Sequence, residues 1–488
     1  MEIMKQTLIW AIILLLTIGS SQMTAKEKLK DEDITSKFAS LVFRQELKNL
    51  KIIADTACIM RSEVETVTRL QIKMNNTDCL LYSLSGLECF VNLRELSLKR
   101  SLFSKTDSIL LDLSGNPKLE VIEIQNYYVG EMLDVNHNKL LRVLKCVGCS
   151  LRGLDLRNNR RLEILDCSGN FLSKLDLHRN ISLKEIVVNR QKERFQMDGD
   201  PRGGTLVQLI LPDNRQLRDG VSKLICNGNS LESLDLSRLP YLKELNCRWC
   251  KLQSLDLSAN LQLEIVNCAG NYIHALDFAH LKKLYSIVCG NQGGTGGGIM
   301  VEGNDYRQLK SLTLPEQTAE QDMNYLKELD YSESDLSQPI DFRKFPHLNL
   351  LVCQSNGLSS IDVSGNKELE QLDCSGNIIS SLDLKENIKL RSLDVCSTLI
   401  TELNLLHNTN LESLMCDDDI DYRYKTKRFK GSLSLKIILS KAGFEKISFN
   451  KHRGTGAGRV EYQGKLRQLP GNAVRIILST SSQSKVLP

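Results

Sequence analysis

The stretch LEILDCSGNFLSKLDL, from Leu162 to Leu177, returns far downstream as LEQLDCSGNIISSLDL, from Leu369 to Leu384. In both, an LDC triplet is followed three residues later by an asparagine, and then by an LDL triplet. Apolar residues alternate in LDC, which predicts a short strand with Leu and Cys facing one side and Asp the other. The asparagine should close a tight turn. Its side-chain amide can bond backbone groups that lack a ladder partner there.

The frame governs most of the chain. Cys226, Cys247, Cys268 and Cys289 advance by 21 residues, Cys146 and Cys167 are 21 apart, as are Cys353 and Cys374, and Cys416 falls 42 beyond Cys374. Ile124, Val188, Tyr331 and Val395 hold the same place in intervening units. Halfway between come LDL-type triplets ending at positions such as Leu156, Leu177, Leu257 and Leu384. A second asparagine series follows them, including Asn116, Asn138, Asn159, Asn180 and Asn387. A fixed period near 21 marks a solenoid. One coil cannot bury its own apolar face, but a stack makes a continuous core.

Written as LxxLxCxxNxLxxLDLSxN, the unit resembles a leucine-rich repeat. It is similar to the short, cysteine-containing class of secreted and surface proteins in Bacteroidetes-type bacteria, and more loosely to the internalin family. The resemblance implies an α/β solenoid, mostly β: a curved, right-handed superhelix of about 14 coils of ~21 residues. LxC would form a parallel sheet on the concave side and LDL would line the convex side. For function it implies only adhesion or recognition, because the repeats are a scaffold.

At 488 residues, with 41% hydrophobic and 25% charged residues, the composition is globular. Residues 1–25 read as a secretory signal peptide: Lys5, an apolar run from Thr7 to Ile18, and small residues for cleavage near Ser21 or Ala25. The run is shorter than the roughly 20 residues of a membrane helix, so no stable transmembrane span is expected. The mature chain should be exported, to a periplasm, an outer surface or the medium. Residues 26–91 are expected to form an N-terminal cap with a helix on the amphipathic ITSKFASLVFRQEL, residues 92–416 the repeats, and residues 417–488 a basic C-terminal cap. From Tyr422 onward 15 Lys/Arg face two Asp/Glu, which is +13 and leaves −9 on the remainder of a chain of net +4.

Nine cysteines take the inward position of LxC, where a thiol acts as a small hydrophobe. Neighbours in the stack would lie about 4.8 Å apart, beyond the ~3.5–4.5 Å Cβ separation of a disulfide, so free and unreactive thiols are expected. The pairs Cys146/Cys149 and Cys247/Cys250 have a zinc-like spacing. They are four coils apart, however, and Cys149 and Cys250 fall on the turn-asparagine position, so no metal is expected. Cys58, Cys79 and Cys89 lie outside the ladder, and the sequence is compatible with Cys79 and Cys89 either bridged or free. Cys396 follows the inward Val395, so alternation turns it outward as the thiol expected to be most reactive.

Three segments break the period. After Val188 the next triplet, Leu209 to Leu211, arrives late, and after Cys289 the triplet from Leu312 to Leu314 does the same. Both returns end in proline, Pro212 and Pro315. After Cys416 comes DDDIDYRYKTKRFKG, and the regular repeat is not expected to resume. The inserts, near 190–205 and 290–309 and after 416, all leave at the turn behind the LxC strand. They should therefore form a row of loops on one rim, where function usually sits. Trp249 takes the slot held elsewhere by Gly169, Gly270 and Gly376, beside Arg248, a pairing typical of binding hot spots. With the loop residues Arg194, Phe195, Tyr306, Arg307, Tyr422 and Arg423, these are the candidate ligand-binding positions.

Chemistry is not foreseen. GGTGGG and GTGAG lack the GxxxxGK[ST] spacing of a phosphate loop, the Asp417–Asp419 run has no calcium-loop pattern, and HExxH is absent. The expectation is a non-catalytic scaffold without cofactor or metal. It would bind an extracellular or cell-surface protein through its concave face and loop-bearing rim, with no nucleic-acid partner. One alternative is a glycan or anionic surface polymer held by the basic C-terminal region. A second is the substrate-recruiting part of an enzyme system.

Overall fold

The computed structural model describes residues 31–74, 81, 83–101, 108–191, 205–293, 309–315, 325–336 and 338–416; beyond these it describes strands at 419–424, 427–432, 435–440, 448–450, 467–468 and 473–478. The residues expected to form a signal peptide lie outside this set. Among the described residues no helix is long and apolar enough to cross a membrane.

A single 16-stranded sheet runs along the molecule from Arg69–Met74 to Ser448–Asn450. Every pairing in it is parallel, and the register never slips. Leu144 faces Leu165, which faces Ile186, then Leu224, Leu245, Val266 and Ile287. The expected coils are the 14 strands from Glu95–Arg100 to Ser413–Met415. The chain is thus a parallel β-solenoid with few helices. Its inward leucines and cysteines are sealed in one continuous core, which the sheet lines on one side and the LDL triplets on the other. Each buried leucine contributes roughly 1.5–3 kcal/mol, repeated coil after coil.

Among the described residues the LDL side forms a ladder beyond isolated bridges at only three points. Lys174–Asp176 pairs with Gln208–Ile210, Ala275–Asp277 with Ser311–Thr313, and Glu402–Asn404 with part of Leu435–Ser440. Each pair flanks one insert, so a coil that bears a loop is tied to the stack on both faces. The third pair carries strand pairing past Cys416, where the regular repeat pattern stops. Leu435–Ser440 takes the LDL place, and Ser448–Asn450 extends the main sheet by pairing with Ser413–Met415. Its LKIIL run lacks the LDL signature but satisfies the same alternation. Ala473–Leu478 then pairs antiparallel with Leu435–Ser440.

At the N-terminal end the helix starts later than the amphipathic pattern suggests, at Leu41, because the Ser40 side chain accepts the Phe43 N–H (3.2 Å) and caps it. Thr35–Lys37 forms only a 3-10 turn. The rings of Phe38, Phe43 and Phe90 lie 5.8–6.5 Å apart and pack into the core, fully buried.

Candidate functional site

The rim is built by one recurring turn. In twelve successive coils the second residue after the inward position has left-handed backbone, from Asn126 (φ 62°) through Gly169 (φ 68°) and Gly270 (φ 72°) to Ser397 (φ 54°). Glycine suits this conformation, whereas a bulky side chain is strained in it. In five of these coils the next residue is the turn asparagine, and its amide bonds at both ends. Asn170 Nδ2 donates to the carbonyls of Cys146 (2.7 Å) and Cys167 (2.8 Å), while its Oδ1 accepts the N–H groups of Cys149 (3.0 Å) and Leu151 (3.1 Å). Asn271 and Asn377 repeat the pattern. One side chain thereby ties two coils.

Cys149 and Cys250 occupy this slot in their coils, and their thiols imitate the amide's donation. Cys149 Sγ donates to the Ile124 carbonyl (3.4 Å) and Cys250 Sγ to that of Cys226 (3.3 Å). This explains the CxxC spacing. Among the described residues no group of three or more His, Cys, Asp or Glu could hold a metal ion.

The inserts leave from this turn, and glutamine marks two of the departures. Gln191 and Gln292 stand where the asparagine would be, each fully buried. Gln292 Nε2 donates to Cys268 O (2.9 Å) and Cys289 O (3.0 Å), and its Oε1 accepts the Ile273 N–H (3.1 Å). Gln191 bonds Cys167 O and the Leu172 N–H in the same way. The extra methylene lets the amide keep its place while the backbone turns away into the loop. Sequence reasoning did not use this signal, although both glutamines were visible beside the breaks.

Trp249 is the bulkiest side chain in the left-handed slot (φ 55°), which also takes Arg190 (φ 43°) and Glu333 (φ 52°). Its ring lies against Gly270, where an added Cβ would collide with the indole. The Arg248 guanidinium covers the ring from 5.0 Å. Trp249 is therefore half-buried and sandwiched between Gly270 and Arg248. Its accessible head is the exposed Arg248, which makes no ion pair among the described residues. Cation–π contact holds that guanidinium in place.

Arg248 and Trp249 thus lie on the rim, in the run of coils between the first two inserts. Arg194, Phe195, Tyr306 and Arg307 lie outside the described residues. Tyr422 and Arg423 belong to Asp419–Tyr424, which pairs antiparallel with Lys427–Ser432, Tyr422 opposite Phe429 and Arg423 opposite Arg428. The described positions are not brought together into one cluster.

Fourteen described cysteines are free thiols, and only Cys58 is exposed. Cys89 is among the buried ones, and Cys79 lies outside the described residues. Burial pushes the ladder thiols far above the ordinary thiol range and raises Cys149 to about 12. Cys396 corrects an expectation: although alternation turns it outward, it is fully buried. Its neighbour Asp394, only 9% exposed, accepts the Cys396 N–H (2.9 Å), so the outward surface at this coil is covered.

No protein-family model and no curated protein matches the chain. Solved structures do. The functional domain of InlJ from Listeria monocytogenes, described as including a cysteine ladder, is 25% identical at a TM-score of 0.57 over 80% of this chain and 76% of that one. A leucine-rich repeat protein of Leptospira interrogans is 18% identical at 0.51, over 73% and 91%. The internalin InlF of Listeria monocytogenes is 15% identical at 0.43, over 82% and 95%. The fold is that of the leucine-rich repeat proteins.

Proposed function

We propose that the chain is an exported, non-catalytic recognition scaffold that binds a protein through the outward face of its sheet and the loop-bearing rim. One observation carries this reading. Two inserts leave the same turn at Gln191 and Gln292, and between them the rim bears Arg248 on a Trp249 ring held in strained, left-handed backbone. A Trp in that conformation costs on the order of 1–2 kcal/mol against glycine, a cost that the stack does not require. A guanidinium fixed on an aromatic ring at the rim is the kind of anchor that protein ligands engage.

In this reading residues 1–25 are removed on export, 26–91 and 417–488 cap the two ends, and Arg194, Phe195, Tyr306 and Arg307 in the inserts, with Tyr422 and Arg423 on the strand Asp419–Tyr424, flank the ligand. Trp249→Gly tests it cleanly, because glycine is the residue this slot takes in neighbouring coils. Surface proteins captured by the wild-type chain should be lost by Trp249→Gly and by Arg248→Ala, with folding unchanged. Equal capture by all three chains would remove the site.

A further inference from the structure

Two neighbouring positions of each coil treat charge differently. Just before the sheet strands, residues of adjacent coils alternate in sign and pair: Arg94 with Glu120, Arg142 with Glu163 (2.9 Å), Lys243 with Glu264 (3.1 Å), and Arg391 with Glu412 (3.0 Å). The corner behind LDL does the opposite in three consecutive coils. Lys139 and Arg160 each follow the corner asparagine of their coil, and these asparagines are bonded to one another, Asn159 Nδ2 to Asn138 O (3.0 Å). Two cations therefore stack one coil apart, about 4.8 Å. Arg161 adjoins them, and Arg179 enters from the next coil beside Asn180, which bonds Asn159 O.

All four are exposed, and none makes an ion pair among the described residues. From Lys139 to Arg161 the sequence holds seven Lys/Arg and a single acid, Asp155, whose carboxylate already pairs with Arg157 (2.7 Å). Like charges placed opposite each other on neighbouring strands destabilise a stack. Here that arrangement recurs over neighbouring coils on exposed side chains, with no ion pair among the described residues to offset it.

We propose that this corner binds an anionic polysaccharide, lying along the stack with its charged groups on Lys139, Arg160, Arg161 and Arg179. A pyranose chain advances by about one coil per sugar, so successive charges meet successive coils. Exposed amides stand beside the cations, with Asn158 Nδ2 bonded to Asn136 Oδ1 (3.2 Å), and suit sugar hydroxyls. Its rings are only the imidazoles of His137 and His178, the latter accepting from Arg179 (3.2 Å), with no Phe, Tyr or Trp platform for stacked bases among the described residues of the patch. The site is on the other corner from Trp249 and does not depend on the protein-binding reading.

The test uses the full chain and heparin as the sulfated probe, with affinity measured across a salt series. Arg160→Glu/Arg161→Glu should weaken binding at least tenfold and flatten the slope of affinity against salt, since fewer counterions are displaced. Arg160→Gln/Arg161→Gln, which keeps the shape of the surface, should fall between it and the wild type, and Trp249→Gly should bind heparin normally. Unchanged affinity and slope in both double variants would overturn the site, because the basic C-terminal region would then be carrying the polymer. Single-stranded DNA binding as tightly as heparin, and lost with the same variants, would overturn the polysaccharide assignment.

Discussion

Asn170 and Asn180 are ten residues apart, equally buried and chemically identical, yet they hold different corners in different ways. At the rim, Asn170 uses both ends of its amide, two donations and two acceptances. At the LDL corner, Asn180 donates to Leu156 O (2.9 Å) and Asn159 O (3.0 Å), while its Oδ1 is buried without a partner. The same orphan oxygen recurs at Asn138, Asn159, Asn260, Asn366, Asn387 and Asn408. The inserts leave from the fully bonded corner. A turn pinned from both neighbouring coils tolerates a departing loop, because losing local backbone order there does not unbind the coils from each other.

The sharpest way to break this comparison is to delete each amide. Asn170→Ala strands two carbonyls and two N–H groups, Asn180→Ala only two carbonyls. At roughly 1–3 kcal/mol per buried unpaired group, the first should cost about 4 kcal/mol or more and the second about half that. Local opening followed by hydrogen exchange measures both, since a long stack does not unfold as one unit. Equal losses would show that the acceptances at the rim contribute nothing.

Shortening the amide at a loop should cost less. Gln292→Asn withdraws the donations to Cys268 and Cys289 by one methylene, an effect of about 1–3 kcal/mol. Faster proteolytic nicking within residues 294–308 is the expected outcome, while the same protease should spare the regular coil at Asn377. Replacing the inward Cys247 by Ser should lose about 1–2 kcal/mol, because a hydroxyl is buried where the thiol acted as an apolar group. Among the described thiols a mild alkylating reagent should modify only Cys58 in the native chain, and labelling of Cys396 would contradict its burial.

The smallest effect belongs to the LDL corner alone. Its aspartates accept the N–H two residues on, as Asp213 does from Arg215 (3.1 Å) and Asp362 from Ser364 (3.0 Å). The Arg215 side chain and N–H hold Asp213 down to about 2, and Ser364 lowers Asp362. Folded values below the unfolded ones mean that this stability is present above about pH 4 and is lost as pH falls toward 2. Denaturant midpoints should therefore decline over that window, and Asp213→Asn should flatten the decline slightly.

Much of this architecture was legible from period alone. The Leu–Cys seam and both asparagine series follow from spacings that any reader can count, and the thiols' inertness follows from strand separation. What period could not reveal was accessibility. Cys396 points outward by alternation and is nevertheless covered, and only the structure shows that Trp249 leans on Gly270. Past Cys416, LKIIL reads as a strand, but without the Asp and Asn that mark other coils its place opposite Glu402–Asn404 is not legible from the sequence. At the rim, Gln191 and Gln292 were missed because a single added methylene is invisible unless the partner carbonyls are known.

The short pairings on the LDL side, Lys174–Asp176 with Gln208–Ile210 and Ala275–Asp277 with Ser311–Thr313, have an evolutionary consequence. They splice the stack back together behind each insert, so the coils on either side stay joined whatever the insert's length. Such cassettes can diverge, lengthen or be exchanged between lineages while the spine stays readable, which is how one framework could be re-aimed at a changing target.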